Sequence, residues 1–319
     1  MERLSDILGK RPAETDVAVI GDALIDYQYW VDEMPPVGGD TLINVSNRSA
    51  GGSAANTAVA LGALGVSTAF IGRIGSDENG DWIKSQLTSG GVDISCVQYG
   101  ASSGYVITII NSTGERTMFS FRGASAIPMI ATPILSKTMR RVKIMLLSGY
   151  CLLNPEQAGF SLTAIEELKA AGGLFALDPS PLIGQVEPVL CKKILSYVDI
   201  LMPNRSELMT LAQTDHFAQA LETMQKRVPL IALKLGAEGA AVFVRKGMVT
   251  PSGTAFPEDL YVEVPAEPVQ IVDTTGAGDA FNAGFISGFL ESPDPKVWLI
   301  RGNQTAAAIV SQRGARLKN

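Results

Sequence analysis

The chain is poor in histidine and cysteine, and this excludes several kinds of chemistry. It has a single histidine among 319 residues, His216, which argues against Ser-His-Asp or Cys-His catalysis and against a histidine-rich metal site. Its three cysteines, Cys96, Cys151 and Cys191, are widely spaced and odd in number. They form neither a disulfide framework nor a zinc-binding pattern, so we expect a reducing, cytoplasmic setting.

Excess positive charge and long apolar runs are also missing. The net charge is −6 and no basic run occurs, so the chain is not expected to bind nucleic acid. No apolar run approaches the ~18 residues of a transmembrane helix, so we expect no membrane span. The segment 1–15 is charged and lacks the apolar centre of a secretory signal. Hydrophobic residues make up 46% of the chain, which is sufficient for a large apolar core.

Short apolar runs alternate with helical patterns along most of the chain. Such runs predict strands at Val17–Gly21, Val66–Gly72, Lys143–Ser148, Leu174–Asp178, Asp199–Met202 and Leu230–Leu235. Helical patterns between them include Asp77–Leu87, with Ser76 or Asp77 as its cap, and Val186–Leu195, as well as a helix that starts at Asn154. This rhythm predicts an α/β fold with a mostly parallel central sheet and helices on both faces. Without repeats or long linkers, we expect a single domain over residues 1–319.

Three further strand patterns lie outside this rhythm. They cover Thr41–Asn47, Tyr105–Asn111 and Arg116–Phe121, and the last two flank a hairpin turn at Ser112–Glu115. Without further information, these strands can be interpreted as edge strands of the central sheet.

The stretch from Asp273 to Leu290 carries the strongest functional signal. The small residues Gly276, Ala277 and Gly278 lead into a helical pattern, so free backbone N–H groups and a helix dipole can meet an anion there. Asp279 follows directly, and it is either an N-cap, a catalytic base or both. A base beside an anion hole is what phosphoryl transfer to a hydroxyl requires.

A second glycine motif lies far upstream. Gly51 and Gly52 open a helix for which Ser53 is the predicted N-cap, and Asn56 follows one turn later. The motif predicts either a ligand-binding turn or a tightly packed small-residue helix. Asp26 lies just past the first predicted strand, where open α/β sheets bind ligands, although it is also suited to capping a turn.

The two motifs together resemble those of the ribokinase-like (PfkB) carbohydrate kinases. The sequence Asp-Thr-Thr-Gly-Ala-Gly-Asp at 273–279 resembles the late catalytic signature of that family, and the motif at 51–65 resembles its early substrate signature. The similarity keeps the family's order and runs from about Val17 to Ala315.

The resemblance implies a fold, a reaction and a set of site residues. It implies a small β-sheet lid formed by about 27–50 and 104–122, with ATP and Mg²⁺ as co-substrate and cofactor. The catalytic residues it implies are Asp279 and the anion hole of Gly276, Ala277 and Gly278. The substrate-binding residues it implies are Asp26, Gly51, Gly52 and Asn56.

Nucleotide and metal sites also follow from the resemblance. The nucleotide-binding residues it implies are Asn204, Lys234, Gly236, Gly239 and Asn303. It assigns Glu207 to Mg²⁺, partly through water, and Asp273 with Thr275 to a region where some relatives bind a monovalent cation such as K⁺. Two plainer interpretations stay open: Asn204 and Glu207 as a helix capping pair, and Lys234 as a solvated surface lysine.

The expected function is ATP-dependent phosphorylation of a primary hydroxyl of a small sugar. The acceptor is predicted to be an uncharged or weakly acidic monosaccharide, because Ser53 stands where a basic residue would suit a phosphosugar and only Arg48 and Arg122 lie nearby. A nucleoside kinase is the alternative, since Tyr27, Tyr29 and Trp30 have rings that could stack on a base or a sugar. A non-catalytic sensor and a dehydrogenase fit less well. By resemblance, a homodimer through the lid is a further expectation.

Overall fold

A computed structural model describes residues 15–312 and 314–316 of the chain. The prediction that segment 1–15 is not a secretory signal concerns residues that, apart from Thr15, lie outside this described part. The main sheet consists of eight strands in the described part: β1 (Val17–Ile20), β4 (Thr68–Ile71), β9 (Ile144–Ser148), β10 (Leu174–Asp178), β11 (Ile200–Leu201), β12 (Leu230–Lys234), β13 (Ala240–Val244) and β14 (Leu260–Val264).

The sheet is mostly parallel, as the alternating pattern predicts. Its order is β14-β13-β12-β11-β10-β9-β1-β4, and the pairs from β12 through to β4 are all parallel. Only β13 and β14 join in antiparallel pairs, at one edge. Parallel strands place their carboxyl ends along one edge of the sheet, so Asp22, Ser148 and Asp178, at the ends of β1, β9 and β10, come close together.

Helices cover both faces of this sheet. They are α1 (Ser53–Ala63), α2 (Glu78–Ser89), α3 (Pro133–Met139), α4 (Pro155–Ala170), α5 (Pro188–Leu195), α6 (Arg205–Ala212), α7 (Phe217–Gln225), α8 (Ala277–Glu291) and α9 (Pro295–Val310). Several begin as the sequence predicts, with Asp77 capping α2 and Asn154 capping α4. Within the described residues, no helix combines the length and apolarity needed to cross a membrane.

Two apolar cores lie on opposite faces of the sheet, because successive strand residues point to opposite sides. Along β1, Val17 and Val19 belong to one core, whereas Ala18 and Ile20 belong to the other. The first core packs against α8, where Phe281, Phe285 and Phe289 recur every four residues and stack in sequence. This spacing is the helical stripe that the sequence predicts.

A separate four-stranded sheet accompanies the main one, so the interpretation of its strands as edges of the main sheet is wrong. Its order is β3-β2-β7-β8, formed by β2 (Leu24–Trp30), β3 (Val45–Gly51), β7 (Tyr105–Ile110) and β8 (Arg116–Phe121). Strand β3 begins later and ends later than the predicted 41–47. A short pair, β5 (Arg73–Ile74) and β6 (Gln98–Tyr99), makes a third sheet.

One face of the small sheet lines a cavity. Every second residue of β2, β7 and β8 contributes, as the strand period of two requires: Leu24, Asp26, Gln28, Val106, Thr108, Arg116, Met118 and Ser120. Tyr27 and Tyr105 lie on the other face, where their rings meet edge to face with centroids 6.1 Å apart. That the sheet acts as a lid within a single 1–319 domain stays a prediction.

Candidate active site

A tight turn places the start of α8 at the cavity. Gly276 is the N-cap residue and has a left-handed φ of 79°, which favours glycine. A Cβ on Gly276 would lie 2.6 Å from the Cβ of Ala315, so space as well as conformation requires glycine. No side chain caps this helix, although Ala277 N donates to the carbonyl of Thr274 at 3.3 Å. An anion can therefore approach the N-terminus of α8 over Gly276 and Gly278, both of which line the cavity.

Asp279 is the third residue of α8 and does not cap it, so the N-cap interpretation of this residue is wrong. Its Oδ1 accepts a hydrogen bond from Ser53 Oγ at 2.7 Å, and its Oδ2 accepts one from Asn56 Nδ2 at 3.0 Å. Ser53 was the predicted cap of α1, but Gly52 takes that position. The hydroxyl of Ser53 does not cap α1 and donates to Asp279 instead, because α8 packs beside α1.

Burial is the main reason why the pKa of Asp279 rises to about 7, and the charge of Asp178 adds to the effect. The hydrogen bonds from Asn56 and Ser53 act in the opposite direction, as does the positive charge of Lys234. A carboxylate that changes protonation near neutral pH is suited to accept a proton from a hydroxyl and to release it again.

The early glycine motif and Asp26 meet on the other side of the cavity. Gly51 ends β3 and pairs with Leu24 of β2, and a Cβ at Gly51 would overlap the carboxylate of Asp26. Gly52 has a φ of 93° and leads into α1, which carries Asn56 to the site. Burial, with the neighbouring charge of Asp22, raises the pKa of Asp26 to about 6. Asp26, Gly52 and Asn56 line the cavity, whereas Gly51 stands behind Asp26.

Asn204 and Glu207 form a complete capping box at the start of α6. The side chain of Asn204 accepts from Glu207 N at 2.8 Å, and Glu207 Oε2 accepts from Asn204 N at 2.8 Å. Both residues also line the cavity, so capping and ligand binding are compatible. Burial raises the pKa of Glu207 above its ordinary value.

Lys234 is largely shielded from solvent, so its interpretation as a solvated surface lysine is wrong. Its Nζ lies 3.0 Å from Asp178 Oδ1, and the two side chains are only 14% and 11% exposed. Asn282 Nδ2 donates to the second oxygen of Asp178 at 2.8 Å. Although burial works against its charge, Asp178 and Glu207 hold the pKa of Lys234 above its ordinary value. Lys234 therefore stays protonated beside Gly278 and α8.

Of the three remaining residues that were predicted to bind the nucleotide, only one lines the cavity. Gly236 follows β12 and lines the cavity. Gly239, with a φ of 103°, turns the chain from β12 into β13 and is not among the cavity-lining residues. Asn303 donates from Nδ2 to the carbonyls of Val264 and Pro265, at 3.2 Å each, and also lies off the cavity. The hydrogen bonds of Asn303 are thus with the last residue of β14 and with the residue that follows it.

Asp273 and Thr275 are tied to the small sheet. Asp273 Oδ1 accepts from Thr275 Oγ1 at 2.7 Å and forms an ion pair with Arg116 of β8 at 3.1 Å. Its Oδ2 accepts from Gly314 N at 3.2 Å. Despite partial burial, these bonds, led by those from Thr275, hold the pKa of Asp273 below its ordinary value. Both carboxylate oxygens are therefore already occupied by donors.

The sequence interpretation missed some of the residues at the site. Asp178 lies at the carboxyl end of β10, so the rule that singled out Asp26 could have found it. Asp22 was also recognisable by that rule, and its Oδ2 pairs with Arg122 at 3.0 Å while its Oδ1 is buried without a hydrogen-bond partner. Asn282 offered no signal within its helical pattern.

A single cavity of about 1020 Å³ joins the two halves of the site. Asp26, Asn56 and the small sheet line one part, and Asn204, Glu207 and Lys234 line the other. Gly276, Gly278 and Asp279 also line it. Such a volume is at the upper end for small-molecule sites, so it has room for two reactants.

The site is suited to magnesium bound together with phosphate but not to an all-protein metal cage. Among the described residues, no group of three or more His, Cys, Asp or Glu side chains could hold a metal ion. Mg²⁺ commonly uses one or two carboxylates with water and substrate phosphates for the rest of its ligands. The cavity-facing position of Glu207 is compatible with that arrangement.

Comparisons with known proteins agree with this geometry. A family model described as pfkB family carbohydrate kinase matches residues 14–319. An ATP-dependent ribose-1-phosphate kinase of Halopiger xanaduensis is 30% identical, with 91% of this chain and 90% of the relative covered. A probable fructokinase-7 of Arabidopsis thaliana is also 30% identical, with 96% and 90% covered.

Solved structures give the same fold. A ribokinase of Arabidopsis thaliana, in complex with ribose and ATP, superposes with a TM-score of 0.79 at 26% identity, over 94% of each chain. An archaeal nucleoside kinase of Methanocaldococcus jannaschii reaches 0.76 at 19% identity, over 95% and 94% of the chains, and so bears on the fold alone. The fold class predicted from the sequence is thereby confirmed. The chain belongs to the pfkB family of carbohydrate kinases, and the prediction of a phosphotransferase that uses an alcohol group as acceptor is confirmed at that level.

Proposed function

We propose that the protein transfers the γ-phosphoryl group of ATP to a primary hydroxyl of a small, uncharged sugar, with Asp279 as the general base. The observation that carries the proposal is the position of Asp279. Its carboxylate lies in the first turn of α8, directly beside an uncapped helix N-terminus, in a cavity shared by the predicted acceptor and nucleotide residues. A proton acceptor and an anion-binding turn therefore face the same space.

In the proposed reaction, the sugar hydroxyl gives its proton to Asp279 as its oxygen attacks the γ-phosphorus of ATP. The bond between that phosphorus and the β,γ-bridging oxygen breaks, and ADP leaves. The backbone amides of Gly276, Ala277 and Gly278 stabilise the charge on the phosphoryl oxygens. Mg²⁺, when bound near Glu207, supplies further neutralisation of phosphate charge. Proton transfer to a positioned base typically contributes about 10²–10⁴-fold to the rate.

The acceptor side of the cavity favours a substrate with several hydroxyls. Asp26 offers two acceptor oxygens, and Asp22 Oδ1 and Ser180 Oγ are buried without hydrogen-bond partners in the described structure. Asp22 and Ser180 both line the cavity. Since unpaired buried polar atoms are costly, hydroxyl groups of a sugar are suitable partners for them.

The two arginines that the sequence indicated near the acceptor favour an uncharged sugar over a phosphosugar. Arg48 turns away from the cavity, where its guanidinium bonds to Asn79 at 2.6 Å and stacks 4.2 Å from the ring centroid of Trp82. Arg122 lines the cavity but already pairs with Asp22. Neither predicted basic candidate is therefore free to hold a second phosphate. Because a relative with 30% identity is a ribose-1-phosphate kinase, sugar phosphates must be tested as acceptors together with neutral sugars.

The nucleoside alternative is less well supported. Tyr27, Tyr29 and Trp30 were the rings that could stack on a base, and none of them is among the cavity-lining residues. A sensor without activity would not require a base such as Asp279, whose surroundings bring its pKa to about 7. A sugar therefore remains the substrate class of the proposal.

Release of ADP from Mg-ATP in the presence of a panel of sugars, sugar phosphates and nucleosides tests the proposal directly. We expect one or more neutral monosaccharides to stimulate release, and no stimulation in Asp279→Asn. A panel in which no compound raises ADP release above that of the Asp279→Asn variant would overturn the proposed function. Stimulation by sugar phosphates or nucleosides alone would replace the neutral sugar as acceptor.

Three further elements belong to the proposal. Activation by K⁺ would use mainly backbone oxygens near Thr275, because the oxygens of Asp273 already accept other bonds. A homodimer through the small sheet is supported by Phe119 and Phe121, which are 55% and 46% exposed.

A reducing, cytoplasmic setting agrees with three free cysteines. Titration with KCl and light scattering test the first two.

A further inference from the structure

The last described segment of the chain forms a wall of the candidate active site. Gly314 donates its N–H to Asp273 Oδ2 at 3.2 Å, and Ala315 packs against Gly276 so closely that a side chain on Gly276 would overlap it. These contacts place the next residue, Arg316, beside the acceptor motif of α1 rather than in solvent.

Arg316 determines how the amide of Asn56 is oriented. Arg316 Nε donates to Asn56 Oδ1 at 3.2 Å, while Asn56 Nδ2 donates to Asp279 Oδ2 at 3.0 Å. A guanidinium can only donate, and an ionised carboxylate can only accept. The amide between them therefore has one favourable orientation, in which its NH₂ group faces Asp279.

The remaining contacts of the guanidinium do not explain its burial. Both Arg316 Nη1 and Nη2 are shielded from solvent and have no hydrogen-bond partner in the described structure. Arginine side chains that pair with a carboxylate frequently do so through two parallel hydrogen bonds, and Arg316 makes no such pair within the described part of the chain. Buried donors without partners lower stability, and a native protein keeps them where they serve a role. Among the described residues, the one hydrogen bond of the guanidinium is donated to Asn56.

The charge of Arg316 also acts on the carboxylates of the site. Burial lowers the pKa of Arg316 to about 10, against the attraction of Asp26 and Asp279, so the guanidinium is charged at neutral pH. In turn its charge lowers the pKa of Asp26. Three other groups influence Asp279 or are influenced by it: Asp178 of β10, Lys234 of β12 and the phenol of Tyr150 after β9.

We propose that Arg316 is a positioning residue for phosphoryl transfer, which aims the Asn56 amide at Asp279 and favours the ionised base through its charge. This inference rests on the proposed role of Asp279 as the base. It assigns a function to the C-terminal segment, which the motifs of the sequence leave without one.

The first test compares Arg316→Met with Arg316→Lys, and uses Arg301→Met as the matched control. Arg301 lies on α9 and pairs with Glu291, away from the cavity. We expect Arg316→Met to lower kcat by roughly tenfold or more and to shift the acidic limb of kcat/KM to higher pH. Arg316→Lys should restore the position of the limb because it keeps the charge. A limb that does not move in Arg316→Met would overturn the proposal.

A double-mutant cycle with Asn56→Ala tests the route through Asn56. If Arg316 acts through this amide, Arg316→Met should lower kcat much less in the Asn56→Ala background than in the wild type. Equal fold-changes in the two backgrounds would show independent effects and overturn the positioning role.

A titration that needs no turnover separates this inference from the proposed function. The carboxyl ¹³C signal of Asp279, assigned by its loss in Asp279→Asn, should titrate at higher pH in Arg316→Met than in the wild type or Arg301→Met. Arg316→Gln, which keeps a donor without the charge, replaces Arg316→Met if the latter does not fold. An unchanged midpoint overturns the inference, whereas a wild type inactive on every acceptor overturns the proposed function alone.

Discussion

Asn56 Nδ2 donates a hydrogen bond to Asp279 Oδ2 at 3.0 Å, although the two residues are 223 positions apart. This bond joins the start of α1 to the start of α8, and the adjacent bond from Ser53 Oγ doubles the link. The early and late glycine motifs therefore form one site. The acceptor side and the anion-binding turn are held in register by the carboxylate that we propose as the base.

Replacement of Asp279 by Asn should lower kcat by at least about a hundredfold, because it removes the proton acceptor. The fold should persist, since the change keeps the size of the side chain. Steady-state kinetics and thermal unfolding measure the two effects. Asp215→Asn, an exposed aspartate elsewhere, is the control and should behave as wild type. Near-normal turnover in Asp279→Asn would contradict the role of base.

The pH dependence of kcat/KM should show an acidic limb near pH 7. Burial raises the pKa of Asp279 to about 7, and the base must be deprotonated to accept a proton. Activity should therefore fall as the pH drops below about 7, by roughly tenfold for each pH unit. Initial rates at subsaturating acceptor from pH 5 to 9 give the profile. A profile that stays flat down to pH 5.5 would argue against Asp279 as the titrating group.

Asp26→Asn should weaken acceptor binding more than nucleotide binding. Asp26 lines the cavity from β2 of the small sheet, whereas the capping box lines it from the start of α6. We expect the KM for the sugar to rise by about tenfold or more, which corresponds to the loss of one charged hydrogen bond. The KM for ATP should change by less than about twofold. Equal changes in both constants would indicate a general disturbance of the site instead.

Glu207→Gln should raise the Mg²⁺ concentration needed for half-maximal rate without loss of stability. Glutamine at this position still completes the capping box with Asn204, but it removes the negative charge that suits the metal. Asn204→Ala is the contrasting variant, because the loss of an N-cap costs about 0.5–2 kcal/mol. Magnesium titrations and denaturant unfolding separate the two effects. An unchanged Mg²⁺ requirement in Glu207→Gln would leave Glu207 with capping alone.

Lys234→Met should destabilise the protein by about 3–5 kcal/mol, because it leaves the buried carboxylate of Asp178 without its ion partner. Both side chains are largely buried, and their charged atoms lie 3.0 Å apart. The double variant with Asp178→Asn should recover part of the loss. Denaturant unfolding measures all three proteins. A loss below about 1 kcal/mol in the single variant would indicate that solvent reaches Asp178.

Local signals in the sequence were sufficient for most elements of the fold. Asp77 and Asn154 cap their helices as predicted, because a cap depends on bonds within three residues. The buried strands were recognisable as short apolar runs. The limits of short elements were less accurate. For example, the predicted helix from Val186 begins at Pro188, with Glu187 as its cap. The predicted strand 199–202 retains only Ile200–Leu201.

Long-range partners were not predictable from the same signals. Ser53 reads as a cap, but it bonds to Asp279 because α8 packs beside α1. Lys234 reads equally well as a surface residue, but β12 carries it under α8 to Asp178. For both residues, the actual hydrogen-bond partner depends on which helix packs over the ends of the strands, and local sequence does not show this.

The sequence by itself determined the order of most central strands and the helices between them, the two glycine turns and the acidic residue that follows the second turn. These depend on spacing and backbone preferences over a few residues. Tertiary structure alone decided which groups meet Asp279, on which face of the small sheet the polar residues lie, and that Arg316 reaches Asn56. Such pairings join residues hundreds of positions apart, and only the packing of the sheets and helices brings them within hydrogen-bond distance.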